Sequence, residues 1–314
     1  MDRLNILIVR LSALGDAVCT LPVAVALKEQ FPESRITWVV DPRFAGIIEC
    51  CSAVDEIVIC KPSASLASLP RFPNPFDLAL DMQGLSKSAL VVKQAKAKLK
   101  LGYHWQREVA PFFSKAVLPD PTSLHVVDQY LDVARAAGAE SEVAEFRLIP
   151  KDEDREAMKA LLKSSGVTGS FVVMNAGAGW ATKRWTPNHF ATLIEMLAAK
   201  EIRSVLIGGK ADADIEAAEQ VVSACPVPVV NLLGKTSVRE LVALISLSNA
   251  HVGGDTGSTH IAAALGVPAI GLYSITKPAR SCPYGQIHRC HYSPSGLNDI
   301  LPGEVYKTCW EAMT

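Results

Sequence analysis

The sequence predicts an α/β protein with two doubly wound domains, each built on a parallel sheet between layers of helices. Short runs rich in Val, Ile and Leu alternate with Ala-rich or amphipathic stretches, an alternation typical of βαβ units. It occurs twice, before and after Ile149-Pro150-Lys151. The composition agrees, because 49% of the residues are hydrophobic and only 6% aromatic, which suits strands of Val, Ile and Leu covered on both faces.

The first half begins with a strand and alternates from there. The predicted strands are residues 4–9, Ile36–Val40, Glu56–Ile59 and Leu78–Leu80. The predicted helices are Ala17–Phe31, Phe44–Cys50 and Leu85–Lys98. Parallel strands require crossover connections, so these helices are expected to cover the two faces of one sheet.

The second half repeats the pattern after a first helix. The predicted strands are Phe171–Met174, Ser204–Ile207, Val229–Val230 and His251–Val252, with Ala269–Leu272 as the closing strand. The predicted helices are Asp152–Lys163, Pro187–Lys200, Ala213–Ser223, Val238–Ser246, Ser258–Leu265 and Gly303–Met313. We therefore expect domains at residues 1–150 and 151–314, with a terminal helix able to pack back on the first. Ligands of doubly wound sheets bind at the carboxyl ends of the strands, so the active site is expected in a cleft between the halves.

Charge and composition exclude several classes of protein. The chain has 31 Lys and Arg and 32 Asp and Glu, so it lacks the excess of positive charge that is typical of nucleic-acid-binding proteins. No secretory signal or membrane-spanning apolar run is present, which predicts a cytoplasmic protein. The eight cysteines form no CxxC pair, and His288 and His291 lie in a tail predicted to be irregular, so we expect no metal site. Most cysteines are expected to be reduced, whereas Cys282, Cys290 and Cys309 lie late in the chain, could approach one another, and have a redox state that the sequence does not decide.

The loop after the first strand, Arg10–Asp16, is the first candidate for chemistry. Gly15 permits a backbone turn, and Asp16 would open the following helix at the carboxyl edge of the sheet. An exposed carboxylate there can take a proton from an attacking hydroxyl. The same residue is also what an ordinary helix N-cap looks like, and spacing alone favours that simpler interpretation.

The Gly-rich segment Asn175–Trp185 follows the first strand of the second half. Small residues after a strand let backbone N–H groups approach a phosphate, and Lys183 can neutralise a diphosphate. The spacing matches neither a Walker loop nor a GxGxxG dinucleotide fingerprint. A plain glycine loop with a solvated Lys-Arg pair explains the segment equally well.

The segment Val252–Gly266 combines a strand end, two glycines, a turn at Asp255-Thr256-Gly257 and an Ala-rich helix. The helix N-terminus would present free N–H groups and the positive end of its dipole to a diphosphate. His260 lies one turn into this helix, where it could face the ligand. The alternative is a capped helix in which His260 is only packed.

Two further strand ends carry polar groups. Asp212, after Gly208-Gly209, could bind a ribose hydroxyl or simply belong to a turn. Gln83 and Lys87 follow the strand that ends near Asp81. The basic side chains beyond them could meet an anionic acceptor or form a solvated helix face, and they are Lys93, Lys96, Lys98, Lys100 and Arg107.

Taken in order, these segments resemble the ADP-heptose:lipopolysaccharide heptosyltransferases, glycosyltransferase family 9. The resemblance spans nearly the whole chain. It rests on ILIVRLSALGDAVCTLP, ITWVVDPRF and FDLALDMQGLSKSA in the first half, and on Lys183-Arg-Trp185, residues 253–266 and GLYSITKPARSCPYG in the second. The segments WVVD and DMQGLSKS look closest to heptosyltransferase I, which adds heptose to Kdo on lipid A.

The resemblance implies a GT-B fold of two Rossmann-like domains that face each other across a cleft. It implies a metal-independent, inverting transfer of heptose from ADP-heptose to the Kdo of the lipopolysaccharide inner core, with no cofactor. The first domain would bind this lipid-linked acceptor, through a side that includes Ser12, Gly15, Gln83 and Lys87. A lipid acceptor also implies peripheral contact with the cytoplasmic face of the inner membrane.

By the same resemblance, Asp16 is the general base and the second domain binds the ADP-sugar. Lys183 matches a basic residue at the donor phosphates, and Asp212 aligns with an acid that binds the ribose. Asp255 matches an acidic residue of the family whose carboxylate contacts the heptose. The residues matched to the diphosphate or sugar are Thr256, Gly257 and His260.

Three alternatives remain at this point. The loop before Lys183 carries Ala178 and Gly179 where the family has hydroxyl side chains, so the donor or the acceptor could differ within the family. A non-catalytic nucleotide-binding module is disfavoured because the matched side chains are all present. An NAD-dependent oxidoreductase lacks its glycine fingerprint after the first strand.

Overall fold

A computed structural model describes residues 4–61, 69–141, 143–177 and 184–314. The chain divides into two compact units, Met1–Ile149 and Pro150–Thr314. Each unit contains a six-stranded, all-parallel sheet with helices packed against it. The predicted α/β class with two doubly wound sheets is confirmed.

The first sheet has the strand order β3-β2-β1-β4-β5-β6. Its strands are β1 Asn5–Val9, β2 Arg35–Val40, β3 Glu56–Ile59, β4 Leu78–Asp81, β5 Leu99–Tyr103 and β6 Lys115–Val117. The helices of this unit are α1 Leu14–Gln30, α2 Ala45–Glu49, α3 Ser86–Gln94 and α4 Val126–Ala136. The strand order reverses at β1, so the loops after β1 and β4 leave neighbouring strands at the topological switch point.

The core of the first unit forms because its central strands are apolar on both faces. Residues 6–9 of β1 are fully buried, and α1 buries every residue from Ala17 to Leu27 and packs against α4. Trp38 of β2 is also fully buried, and its indole N–H donates a hydrogen bond to the carbonyl of Arg10 at 3.2 Å. This bond ties the end of β1 to the neighbouring strand.

The second sheet has the order β12-β11-β10-β7-β8-β9. Its strands are β7 Phe171–Asn175, β8 Arg203–Ile207, β9 Val230–Asn231, β10 Ala250–Gly253, β11 Ala269–Tyr273 and β12 Cys290–Tyr292. The helices are α5 Asp152–Ser164, α6 Pro187–Ala198, α7 Asp212–Ala224, α8 Val238–Ser246, α9 Gly257–Ala264, α10 Pro278–Ser281 and α11 Pro302–Met313. The carboxyl ends of β7, β8 and β10 meet at the same edge.

The prediction that Ala269–Leu272 closes the second sheet is wrong, because β12 pairs with β11 beyond it. His291 therefore lies on a strand rather than in an irregular tail, with its Nε2 3.0 Å from the Thr308 hydroxyl oxygen. The terminal helix α11 uses Val305 and Cys309 to pack in the core of the second unit. All eight cysteines are free thiols, including Cys282, Cys290 and Cys309, whose redox state the sequence did not decide.

Three elements of the first unit were not predicted, namely β5, β6 and α4. Strand β5 contains Lys100 and Gly102, residue types that are depleted in strands, and β6 has only three residues at the sheet edge. The sheet creates these strands, because β4 offers an unpaired edge to β5, and β5 then offers one to β6.

Candidate functional site

The loop after β1 places Asp16 in the first turn of α1. The helix begins at Leu14, earlier than predicted, so Asp16 is the third helical residue and not the N-cap. Its Oδ2 accepts a hydrogen bond from the backbone N–H of Ala13 at 3.2 Å. The same oxygen forms an ion pair with the Arg10 guanidinium at 2.7 Å. The Asp16 side chain remains 46% exposed. It therefore caps the helix and still presents a carboxylate at the carboxyl edge of the sheet.

Gly15 does not form the turn that the sequence suggested. It is the second residue of α1 and has helical conformation, because the chain turns before Leu14. The turn itself consists of Leu11, Ser12 and Ala13.

Arg10 is buried beneath this turn. Its guanidinium donates to the carbonyl of Met82 and lies 5.4 Å from the ring centroid of Tyr130. Burial by itself would lower the pKa of Arg10, but the nearby Tyr130 and Asp16 raise it above the ordinary value. Burial also raises the pKa of the Tyr130 hydroxyl. The Arg10 guanidinium next to Asp16 is therefore charged, and the Tyr130 phenol packed against that guanidinium is neutral.

Gln83 fixes the same turn from the neighbouring loop. Its side-chain oxygen accepts hydrogen bonds from the backbone N–H groups of Leu11 at 2.9 Å and Ser12 at 3.3 Å. Gln83 is held in turn by buried Asp81, whose Oδ1 accepts from the N–H groups of Gln83 and Gly84. Burial raises the pKa of Asp81. The side chain predicted to face the acceptor is thus also a brace of the loop that carries Asp16.

A cavity of about 740 Å³ lies at the carboxyl ends of the strands of this first unit. Ser12, Gln83 and Lys87, three of the predicted acceptor-side residues, line it, and Gly15 does not. The other charged side chains in its wall are Asp41, Arg43, Lys61 and Glu108. Arg43 forms an ion pair with Asp41 at 2.9 Å. The cavity combines cationic and hydroxyl groups, which suits an anionic, polyhydroxylated ligand.

In the second unit, the turn between β10 and α9 forms as predicted, with α9 beginning at Gly257 and Thr256 at the N-cap position. The Thr256 and Ser258 hydroxyl oxygens accept hydrogen bonds from the Asn175 side-chain amide at 3.3 and 2.9 Å. The Thr259 hydroxyl donates to the carbonyl of Gly254 at 2.7 Å. These bonds fix a helix N-terminus whose N–H groups can bind an anion.

Two buried histidines lie behind this turn. His260, which the sequence analysis left as either ligand-facing or packed, has a side chain that is 8% exposed, and its Nε2 lies 3.5 Å from Oδ1 of Asp255. His260 therefore orients Asp255. His251 on β10 is fully buried, with its Nε2 3.0 Å from the Ser258 hydroxyl, and burial lowers its pKa to about 3. A neutral His251 supports the turn from below.

Asp212, predicted to bind a ribose, is the exposed first residue of α7. The carboxylate at the ends of β7 and β8 belongs to Asp214, two residues later. A Cβ atom at Gly177 or Gly209 would lie 2.6 or 2.8 Å from the Asp214 oxygens, and Arg184 lies 4.0 Å away. The sequence carries a signal for this residue, because Asp214 stands in the first turn of a helix after a strand and two glycines. Asp212 stands in the same turn two positions earlier, and only the direction of each side chain distinguishes the two carboxylates.

Lys183, the predicted diphosphate ligand, lies outside the described residues, which resume at Arg184. Within those residues, no group of three or more His, Cys, Asp or Glu is arranged to hold a metal ion. In the same part of the chain, none of the helices has the length and apolar character needed to span a membrane.

Comparisons with protein families and with individual proteins both identify heptosyltransferases. A sequence model described as glycosyltransferase family 9 (heptosyltransferase) matches residues 73–297. The lipopolysaccharide core heptosyltransferase OpsX of Haemophilus influenzae is 26% identical over 289 residues, which cover 90% of this chain and 82% of OpsX.

Solved structures resemble the whole chain. A glycosyl transferase family 9 structure from Veillonella parvula has a TM-score of 0.87 at 20% identity, covering 99% of this chain and 97% of that one. The E. coli heptosyltransferase WaaC with ADP has a TM-score of 0.78 at 23% identity, covering 98% and 99%. At these identities the structures show the fold.

Proposed function

The chain belongs to glycosyltransferase family 9, the heptosyltransferases, and from this premise we propose that it transfers heptose from ADP-heptose to the Kdo of a lipid-linked inner-core acceptor. The similarity to heptosyltransferases of the lipopolysaccharide core supports this donor and acceptor. One observation supports Asp16 as the catalytic residue. Its carboxylate is half-exposed at the carboxyl edge of the first sheet and is held there by the ion pair with Arg10.

Asp16 acts as the general base in this proposal. Both of its contacts use Oδ2, and among the described residues none forms a hydrogen bond with Oδ1, so this oxygen can accept the proton of the acceptor hydroxyl. The acceptor hydroxyl oxygen attacks the anomeric carbon of the heptose while the bond between that carbon and the phosphate oxygen breaks. The proton moves to Asp16 and ADP leaves with the bonding electrons. A single displacement of this kind inverts the anomeric centre.

The second unit binds the ADP-sugar in this proposal. The N-terminus of α9, with Thr256 and Gly257, would stabilise the charge that develops on the leaving diphosphate, together with Lys183. Asp255, oriented by His260, would contact the sugar. Asp214 replaces Asp212 as the carboxylate available to the nucleotide, because it lies at the strand ends beside Gly177 and Gly209.

The cavity of the first unit is the proposed acceptor site. Kdo is a sugar acid, so its carboxylate matches Lys87 in the cavity wall, and its hydroxyls match Ser12 and Gln83. The reaction would take place at the cytoplasmic face of the membrane that holds the lipid-linked acceptor. Amides, a helix terminus and cations can stabilise the leaving group, so we propose that no metal takes part.

A donor screen tests this function. Purified protein is given Kdo-lipid A with ADP-heptose, ADP-glucose, UDP-glucose or GDP-mannose, each with and without EDTA. We expect transfer from ADP-heptose only, unchanged by EDTA. Transfer from another nucleotide sugar would favour a different family activity, and binding of all donors without transfer would indicate a non-catalytic module. A strict metal requirement would contradict the metal-independent mechanism.

A further inference from the structure

Large apolar side chains are exposed along one short segment of the first unit, residues 105–118. Phe112 is 81% exposed and Leu118 is 79% exposed, with Trp105 and Val109 also exposed. Scattered exposed apolar residues are normal on protein surfaces, but four within fourteen residues are unusual. We call these four side chains the apolar segment face.

The segment that carries this face is held in place by hydrogen bonds. The Gln106 side-chain amide donates to the Ser114 hydroxyl at 2.7 Å and folds over Gly102, where a Cβ atom would lie 2.3 Å from it. The backbone N–H of Arg107 donates to the carbonyl of Gly84 at 2.8 Å. Leu118 directly follows β6, which pairs with β5 and ends beside Tyr103. The exposed side chains are therefore presented by ordered backbone.

Basic residues are frequent in the sequence around the apolar segment face, although one of them, Lys98, forms an ion pair with Asp77 at 2.8 Å. Residues 86–118 contain seven Lys and Arg and one acidic residue, Glu108, a net charge of +6 in a chain whose total is −1. The Arg107 guanidinium lies 5.2 Å from the Trp105 ring centroid, and the Lys93 ammonium lies 5.1 Å from that of Phe113. These contacts hold basic groups next to the exposed ring of Trp105 and the partly buried ring of Phe113.

From this combination we infer that residues 105–118, with the basic groups of α3, form a docking surface for an anionic phospholipid bilayer. Aromatic and aliphatic side chains on a cationic background enter the headgroup region while Lys and Arg pair with lipid phosphates. Charge complementarity identifies the occupant, because α3 and residues 105–118 together carry a net charge of +3, opposite to that of an anionic leaflet.

The position of the docking surface relates it to the cavity of the first unit. Glu108, between Arg107 and Val109, lines that cavity and accepts a hydrogen bond from the backbone N–H of Ser86 at 2.9 Å. A bilayer at the docking surface would therefore bring a lipid-linked acceptor to the cavity mouth. This part of the inference rests on the proposed function, whereas bilayer binding does not.

Vesicle flotation tests bilayer binding with the full chain and no substrate. We expect the protein to float with phosphatidylethanolamine–phosphatidylglycerol vesicles at low salt and not with pure phosphatidylcholine vesicles. Phe112→Ser with Leu118→Ser should weaken binding at least tenfold, because two apolar side chains no longer insert. Lys115→Glu should weaken it several-fold and reduce its dependence on salt.

The matched control is Val143→Ser. Val143 is 71% exposed in the same unit but stands among acidic residues, including Glu140 and Glu145, so its replacement should leave vesicle binding within twofold of the original. All these substitutions are on exposed side chains and should keep the thermal unfolding midpoint. Undiminished binding of the Phe112→Ser, Leu118→Ser variant, or equal binding to phosphatidylcholine, would overturn the proposal.

Transfer assays separate the docking surface from the proposed function. The Phe112→Ser, Leu118→Ser variant should glycosylate a lipid acceptor embedded in vesicles at least fivefold more slowly, and a deacylated, water-soluble acceptor at the original rate. Equal rates on the embedded acceptor would contradict the coupling of docking to the cavity. If the original protein transfers to neither acceptor, the proposed function fails while the vesicle result stands on its own.

Discussion

Among single residues, the ion pair of Arg10 and Asp16 has the clearest structural role. A pair with one half-exposed partner contributes little to stability, of the order of 1 kcal/mol or less. Its effect is geometric, because the buried guanidinium is fixed by Met82 and Tyr130 and holds one carboxylate oxygen. The other oxygen then has a defined direction, which a general base requires.

Asp16→Asn should reduce transfer by about 10²- to 10⁴-fold, because the amide cannot take a proton. Asn can still accept the hydrogen bond from Ala13, so folding should be preserved. ADP affinity, measured by calorimetry, should stay within about twofold, since a base acts in the transition state. Full turnover in this variant would remove Asp16 from the mechanism.

Lys183→Ala should weaken ADP binding by about tenfold, the effect of losing one cation at a diphosphate. The residue lies outside the described part of the chain, so this prediction rests on the sequence alone. Calorimetry with ADP and with adenosine gives the readout, and only the ADP affinity should fall. An unchanged ADP affinity would exclude contact with the phosphates.

Between elements, the loops after β7 and β8 are built around the Asp214 carboxylate. Gly177→Ala would place a Cβ 2.6 Å from Oδ1 of Asp214 and push this carboxylate aside. The displaced group is the end of a side chain, so the free energy of unfolding should change by less than about 1 kcal/mol. We expect the KM for the donor to rise several-fold. Gly166→Ala is a poor control because of its positive φ, so Gly303→Ala, which meets no atom within 4 Å, serves instead.

We expect His251 on strand β10 to make the free energy of unfolding sensitive to acid. His251 has an ordinary pKa near 6.5 when unfolded and about 3 when folded, because of burial and the nearby His260. Between these pH values the unfolded chain binds more protons, so stability falls as the pH falls. From pH 7 to pH 5 the loss from this group is about 2 kcal/mol.

His251→Gln should remove this part of the acid sensitivity. Urea unfolding at pH 7 and pH 5 gives the two free energies for each protein. The variant is expected to be less stable at pH 7, since a buried ring is lost, yet to lose about 2 kcal/mol less on acidification. Equal losses in both proteins would mean that His251 is protonated in the fold.

For the whole molecule, each unit contains a complete six-stranded sheet with its own core. We therefore expect the fragment 150–314 to fold alone, with a cooperative thermal transition, and to bind ADP. The fragment 1–149 serves as the control and should fold without binding ADP. Loss of ADP binding by a folded fragment 150–314 would show that the first unit contributes to the nucleotide site.

The sequence by itself determined the fold class and the loops that carry the candidate functional residues. Alternating strand and helix patterns are local properties, so most elements were predicted within a few residues, including α5 and α8. Loops after strands mark the carboxyl edge, which brought Asp16, Gln83 and Thr256 to notice.

Only the tertiary structure decided which side chains these loops present. The brace of Asp16 depends on Met82 and Tyr130, which are distant in sequence, and Gln83 reaches the loop after β1 because β4 pairs beside that strand. Likewise Asp214, and not Asp212, lies beside Gly177 and Gly209, since two helical positions turn a side chain by about 200°. Local patterns determine where the backbone turns, whereas long-range packing determines where each side chain points.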